Sequence, residues 1–337
     1  MSEPEHADRL LLIFVHGFHG SDTSFEDFPN RIRTILTNTH KVDVDAVIYP
    51  SYKTMGDISL AVQDLTTWLI DQVNTRQKES KAWGGKGRLM VALLGHSMGG
   101  IVSAEVILGL KKRLDDPLDG AFIVGLLAYD TPFYSVNVKY VSSRVISYAD
   151  QASRFLQGSS SSSSTANARQ IGNTAQAAVK ATARTASSSS SSSGWGLFAG
   201  IVGVAAIGAA AYVGRELISN GINKAFDHLE FVNTLIDTQG CEERVTRLIE
   251  LDDVLFKCFY VQLPSTGDQP RTFIDLPPDE TSHYFVPVSS NASSEVTAHT
   301  TMFSSTRNVS YYILGADSIS LVSEMIERFR RKHGKSV

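Results

Sequence analysis

A short apolar run that leads into a serine framed by glycines is the feature that most restricts the fold of this 337-residue chain. The run, Leu89–Leu94, predicts a strand buried on both faces of a parallel sheet, and the apolar stretch Ile101–Leu110 predicts a helix. Between them stands the sequence Gly95-His96-Ser97-Met98-Gly99-Gly100. In so tight a strand-to-helix turn, a Cβ at Gly95 or Gly99 would clash with neighbouring backbone. We therefore expect layers of helices and strands, with Ser97 exposed at a strained corner.

Similar patterns alternate along both ends of the chain. Further strands are predicted at Leu10–Val15, Val42–Tyr49, Ala121–Ala128, Phe256–Leu263 and Arg271–Leu276. Helices are predicted after Asp57, as their N-cap, at Arg244–Ile249, and in a last helix with Ile319, Val322, Ile326 and Phe329 on one face. The short apolar run Tyr311–Leu314 opens a final strand–helix unit. This alternation predicts an α/β fold with a mostly parallel sheet flanked by helices.

The middle of the chain breaks the alternation. Serine runs at 159–164 and 187–193 enclose an alanine-rich polar stretch, so 151–193 is predicted to be a flexible linker. Residues 194–214 carry no charge, and we expect them to form an apolar helix. The catalytic domain is then discontinuous, built from 1–150 and 215–337, with this insertion after the strand that ends near Ala128.

The apolar segment 194–214 is long enough to span a bilayer, which takes about 20 residues. Three interpretations stay open: a packed or lid-like cap helix, a monotopic or re-entrant membrane contact, and a true span. A single crossing would separate Ser97 from every residue after 214, which disfavours the span. An apolar cap suggests an apolar substrate and docking at a lipid surface.

Charge and cysteine content exclude other classes. Thirty-one basic against 35 acidic residues give a net charge of −4, which argues against nucleic-acid binding. The two cysteines, Cys241 and Cys258, form no disulfide or metal-binding pattern, which favours a reducing compartment. The acidic N-terminus is unlike a signal peptide. We expect a cytoplasmic, membrane-associated or soluble protein that is not secreted, with no cofactor and no metal.

A second glycine-bearing loop follows the first predicted strand, in the sequence His16-Gly17-Phe18-His19-Gly20. Such a loop can turn backbone N–H groups toward Ser97. Phe18 or Gly17 would then donate one hydrogen bond to a developing oxyanion, and Met98 the other. Donors of this kind are worth about 3–4 kcal/mol each in a transition state.

These two motifs resemble those of the α/β-hydrolase superfamily, and within it the lipase-like branch of serine esterases. The residues that carry the resemblance are Phe14-Val15-His16-Gly17-Phe18 and Gly95-His96-Ser97-Met98-Gly99-Gly100. The resemblance covers the chain on either side of the serine-rich middle. It implies an α/β-hydrolase fold, a Ser-His-Asp triad in the chain order serine, acid, histidine, and ester hydrolysis.

The resemblance leaves His228, His283, His299 and His333 as candidate bases after Ser97. We favour His299, since lipase-like relatives carry a histidine before a Met-Phe pair and the last helix; His283 is the fallback. His16, His19 and His96 are interpreted as loop-packing residues. For the acid we favour Asp130, which ends the strand Ala121–Ala128, with Asp268, Asp275 and Asp279 as rivals one strand later.

The sequence thus predicts a hydrolase of carboxylic esters with apolar acyl groups. Two alternatives remain at this point. The chain could be a non-catalytic, membrane-associated scaffold on a hydrolase fold, or an acyltransferase that uses the same triad.

Overall fold

The computed structural model describes residues 8–17, 20–40, 42–50, 52, 58–82, 87–137, 238–265, 267 and 270–334. The predicted linker and the apolar segment 194–214 lie outside the described residues. So do Phe18, His19, Asp57, His228 and Asp268.

Seven strands and seven helices make up the described part of the chain. In chain order they are β1 (Arg9–Val15), α1 (Phe28–His40), β2 (Asp43–Ile48), α2 (Ile58–Ala82), β3 (Leu89–His96), α3 (Met98–Lys111), β4 (Phe122–Tyr129), α4 (Thr238–Ile249), β5 (Leu255–Leu263), β6 (Arg271–Thr272), α5 (Asp279–Ser282), β7 (Phe285–Ser289), α6 (Glu295–Thr300) and α7 (Tyr311–His333).

The strands form one sheet in which β2, β1, β3, β4 and β5 lie side by side and parallel. β7 pairs parallel with β5, and the short β6 pairs antiparallel with the end of β5. The continuous apolar runs of β1 and β3 are buried along their length because helices cover the sheet. The predicted mostly parallel α/β fold is confirmed.

Alternate side chains of β1 show how the core is divided. Leu10, Leu12 and Phe14 pack in one buried cluster with side chains of α1 and α7. α3 is apolar nearly all round, and it packs against β3, β4, α2 and α4. A helix that is hydrophobic on every side is one that the fold buries. The helix that follows Ser97 is therefore held by packing along its whole length.

Two sequence predictions differ from the structure. The strand expected over Arg271–Leu276 spans only Arg271–Thr272, and Ile274 makes an isolated bridge with Val136 instead. The run Tyr311–Leu314 is not a strand but the first turn of α7, because its buried residues continue at helical spacing. Within the described residues, no helix is both long and apolar enough to cross a membrane.

Candidate active site

Ser97 occupies a strained turn between β3 and α3. Its backbone lies at φ 55° and ψ −128°, a conformation that costs free energy and persists only where the surroundings enforce it. The N–H of Ser97 donates to the carbonyl of Tyr129 at 2.9 Å, which ties the turn to the end of β4. A Cβ at Gly95 would lie 2.5 Å from the nitrogen of Gly100, and one at Gly99 would overlap the carbonyl oxygens of Val15 and His16. The glycines thus allow the backbone contacts that hold the strained serine.

The loop after β1 lies directly against the serine. A Cβ at Gly17 would stand 2.6 Å from the Cβ of Ser97 and 3.1 Å from its Oγ, so only glycine fits there. Gly17 therefore lies beside Ser97, whereas Phe18 falls outside the described residues, and the oxyanion hole stays a prediction. Met98 is the first residue of α3, where backbone N–H groups have no partner within the helix.

Asp130 follows β4 in a second strained position, with φ at 48°. Its side chain is buried, and each carboxylate oxygen has a partner. Oδ1 accepts the N–H of Val261 at 2.9 Å, and Oδ2 lies 2.7 Å from Nδ1 of His299. The N–H of Asp130 also donates to the carbonyl of Phe259 at 2.6 Å. Strand β5 therefore fixes the carboxylate from two sides and aims one oxygen at the imidazole.

His299 lies on the short helix α6. Ser294 caps that helix by accepting the N–H of Thr297 at 3.1 Å. The buried Glu295 pairs with Arg271 at 2.8 Å and anchors the helix to β6. Since a carboxylate only accepts, Nδ1 of His299 donates to Asp130, and in the neutral ring this leaves the lone pair on Nε2.

The structure brings Ser97, Asp130 and His299 to one edge of the sheet. His96 precedes Ser97 in the chain, and its ring packs on that of His299 with centroids 4.6 Å apart. Among the described residues, no hydrogen bond joins Oγ of Ser97 to Nε2 of His299. Catalytic hydrogen bonds are often long without substrate and tighten in the Michaelis complex.

The rival residues contact other partners. His283 directly follows α5; its ring packs on that of Tyr284 with centroids 4.0 Å apart, and its carbonyl accepts a hydrogen bond from Nζ of Lys257. Asp279 lies in the first turn of α5. The backbone of Asp275 bonds to Ser135, and burial raises the pKa of its carboxyl. His333 ends α7 at the ring of Phe329.

Two further histidines surround the site. Burial lowers the pKa of His16, whose Nδ1 donates to the carbonyl of Gly17 at 3.1 Å. Burial also lowers the pKa of His96 well below its ordinary value, with the neighbouring His299 as the next cause. The ring of His16 packs on Tyr52, and the ring of His96, at the end of β3, packs on His299 and Phe303. In the described part of the chain, no group of three or more His, Cys, Asp or Glu residues is arranged to hold a metal ion.

Two contacts at the site were not foreseen. Phe273 stacks on the His299 ring with centroids 3.8 Å apart, and the hydroxyl of Tyr52 donates to the carbonyl of His16 at 2.9 Å. No motif marks either residue, because both reach the site only through tertiary packing.

Comparison with known proteins finds a family match for part of the chain. Residues 4–168, which include Ser97 and Asp130, match a family model described as "Putative serine esterase (DUF676)". No curated protein matches the chain.

Three similar solved structures illustrate the range of matches. Phospholipase PlaB from Legionella pneumophila is 15% identical, with a TM-score of 0.30 and coverage of 39% of this chain and 27% of its own. A cutinase-like protein from Cryptococcus sp. is 16% identical, with a TM-score of 0.26 and coverage of 39% and 57%. A peroxisomal α/β-hydrolase from Saccharomyces cerevisiae is 9% identical, with a TM-score of 0.39 and coverage of 94% and 79%. The match thus spans about a quarter of the phospholipase and somewhat more than half of the cutinase-like protein.

Proposed function

We propose that this chain, an α/β-hydrolase that matches a family of serine esterases over its first half, hydrolyses carboxylic esters with Ser97 as nucleophile. His299 acts as the general base and Asp130 orients it. The observation that carries the proposal is the buried hydrogen bond of 2.7 Å between Nδ1 of His299 and Oδ2 of Asp130, at the same edge of the sheet as the strained Ser97.

The reaction begins when Oγ of Ser97 attacks the ester carbonyl and its proton passes to Nε2 of His299. The carbonyl oxygen becomes an oxyanion, which accepts the N–H of Met98 and one N–H from the loop at Gly17 and Phe18. His299 then gives the proton to the departing alcohol, and the acyl group remains on Ser97. Water, deprotonated by the same imidazole, releases the acid in the second half of the cycle.

Asp130 contributes by fixing the state of the imidazole. Because its oxygen accepts from Nδ1, the lone pair of His299 stands on Nε2, where a proton from Ser97 can be received. When His299 becomes charged, the buried carboxylate stabilises it. The hydrogen bond from Val261 keeps the carboxylate in place throughout.

We further propose that the ester substrate carries an apolar acyl group. Its support is the uncharged segment 194–214, inserted between Asp130 and His299 in the sequence, which also motivates contact with a lipid surface. Esters of graded acyl length test the first point. Cell fractionation with residues 194–214 deleted tests the second, and an unchanged distribution counts against lipid docking.

A fluorophosphonate probe tests the hydrolase itself. The wild-type protein should label, Ser97→Ala should not, and His299→Gln should label far more slowly than His283→Gln. Equal labelling of wild type and Ser97→Ala, or labelling of neither, refutes the enzyme and favours a scaffold on a hydrolase fold.

A further inference from the structure

The ring of His299 lies between two other rings. Phe273 stacks on it at a centroid distance of 3.8 Å and an interplanar angle of 19°, and His96 at 4.6 Å and 30°. Two rings nearly parallel to a third at such distances cannot share one face of it. They therefore cover its two opposite faces.

We infer that His96 and Phe273 form an aromatic clamp that fixes the ring of His299 and stabilises its positive charge during the reaction, which rests on the proposed role of His299 as base. Both are positioning residues. The faces of aromatic rings carry negative partial charge and attract cations. The attraction strengthens when His299 becomes an imidazolium, so it favours the transition state over the ground state.

The Phe273 side of the clamp is held by backbone pairing. The carbonyl of Phe273 accepts the N–H of Asn137 at 2.8 Å, and the N–H of Asp275 donates to Ser135 at 2.9 Å. These bonds join the segment that follows Asp130 to the segment that carries Phe273. The segments that carry the acid and this ring of the clamp are thus joined by backbone hydrogen bonds.

The His96 side is held by a hydrogen bond to the base itself. Nε2 of His96 lies 3.2 Å from the carbonyl oxygen of His299, and since a carbonyl only accepts, Nε2 carries the proton. Phe303 closes against the His96 ring edge-on at 5.3 Å and 81°. Burial and the neighbouring His299 lower the pKa of His96, which keeps its ring neutral beside a charged imidazole.

Several titratable groups surround the clamp. Asp130 faces His299 from the end of β4, and His16 acts on His96 from the end of β1. Burial, and secondarily the charge of Asp130, raises the pKa of the Cys258 thiol on β5, so it is uncharged at neutral pH. On α6 itself, Glu295 is paired with Arg271.

The test replaces each ring by leucine, which keeps apolar bulk but has no π face. Nitrogen-15 NMR follows the titration of the His299 ring, assigned with His299→Gln, and needs no turnover. In Phe273→Leu and in His96→Leu, the titration midpoint should fall by about half a unit or more. Phe273→Tyr and His96→Phe, which restore a ring, should return it to the wild-type position.

Probe labelling gives the matching kinetic readout. In Phe273→Leu, the labelling rate of Ser97 should fall by about 3- to 10-fold. In a plot of labelling rate against pH, the acidic side of the curve should also move to lower pH. Phe122→Leu is the matched control, because Phe122 also packs on a histidine ring, that of His333, at 4.7 Å. It should leave both readouts unchanged.

The two proposals fail in different ways. An unmoved His299 midpoint in both leucine variants overturns the clamp, even if Ser97 still labels. Absence of labelling overturns the esterase, while the NMR titration still decides the clamp. Should one leucine variant not fold, the other carries the same test.

Discussion

Replacing Asp130 with asparagine perturbs the proposed site most selectively, since shape is kept and one acceptor becomes a donor. The two carboxylate oxygens of Asp130 serve different donors: the N–H of Val261 at 2.9 Å and Nδ1 of His299 at 2.7 Å. An asparagine can offer only one oxygen. If that oxygen keeps the N–H of Val261, the amide NH₂ must face His299.

That arrangement reverses the tautomer of the base. An NH₂ group needs a lone pair on Nδ1, so the proton of His299 moves to Nε2, which can no longer take the proton of Ser97. In the opposite orientation of the amide, its NH₂ group would face the N–H of Val261, so that two donors meet and neither forms a hydrogen bond. We expect kcat to fall by about 10⁴-fold, or about 5 kcal/mol of transition-state stabilisation. The free energy of unfolding should fall by only about 1–3 kcal/mol, the cost of one impaired buried hydrogen bond.

The assay measures kcat on a soluble chromogenic ester beside urea unfolding of the same preparation. Asp275→Asn and Asp279→Asn are matched controls, since neither carboxylate contacts His299, and both should stay within about twofold of wild type. A kcat for Asp130→Asn within tenfold of wild type, on a folded protein, would falsify the assignment of the acid and the tautomer reasoning with it.

Three further predictions concern the surroundings of the site. Tyr52→Phe removes the hydroxyl that donates to the carbonyl of His16 and should lower kcat about 5- to 10-fold by loosening the oxyanion loop, with KM unchanged in steady-state kinetics. Gly99→Ala should cost about 3 kcal/mol or more in urea unfolding, because its Cβ would overlap the carbonyl of Val15. The free energy of unfolding should fall as pH drops below about 6.5. The reason is that the pKa of both His16 and His96 is lowered in the folded protein, so protonation favours the unfolded chain. His96→Phe should make the free energy of unfolding depend less on pH.

Each of these has an internal control in the chain. Tyr49→Phe should leave kcat unchanged, although its ring packs on Tyr52 at 5.0 Å. Gly109→Ala, in the same helix as Gly99, meets no atom within 4 Å and should not destabilise the protein. His40→Phe, whose ring bonds to Ser323 far from the site, should not change the slope of stability against pH. A control that behaves like its test variant would contradict the corresponding mechanism.

The fold and the elbow were predictable because their signals are local. These signals are contiguous in the sequence: the run that forms β3, the glycines at 95 and 99, and the apolar helix α3. They indicate, in turn, a buried strand, a tight turn and a buried helix. Asp130 was nominated because it ends the strand beside the elbow strand, and its role as the acid stays a prediction. His299 was nominated through family resemblance, since no local pattern separates it from His283.

The clamp and the details of the last third were not predictable. Phe273 meets His299 only because the segment around Val136 bridges Ile274, a pairing between stretches on either side of the insertion. The same bridge shortens the strand expected at Arg271–Leu276. Tyr311–Leu314 was assigned to a strand because short apolar runs fit a strand and a buried helix equally well.

The order of the strands explains why an insertion at this position is compatible with an intact site. β3 lies between β1 and β4, so the corner at Ser97 is bracketed by the loop at Gly17 and by Asp130. β4 pairs directly with β5 although residues 138–237 separate them in the chain, and that pairing sets the N–H of Val261 against Asp130.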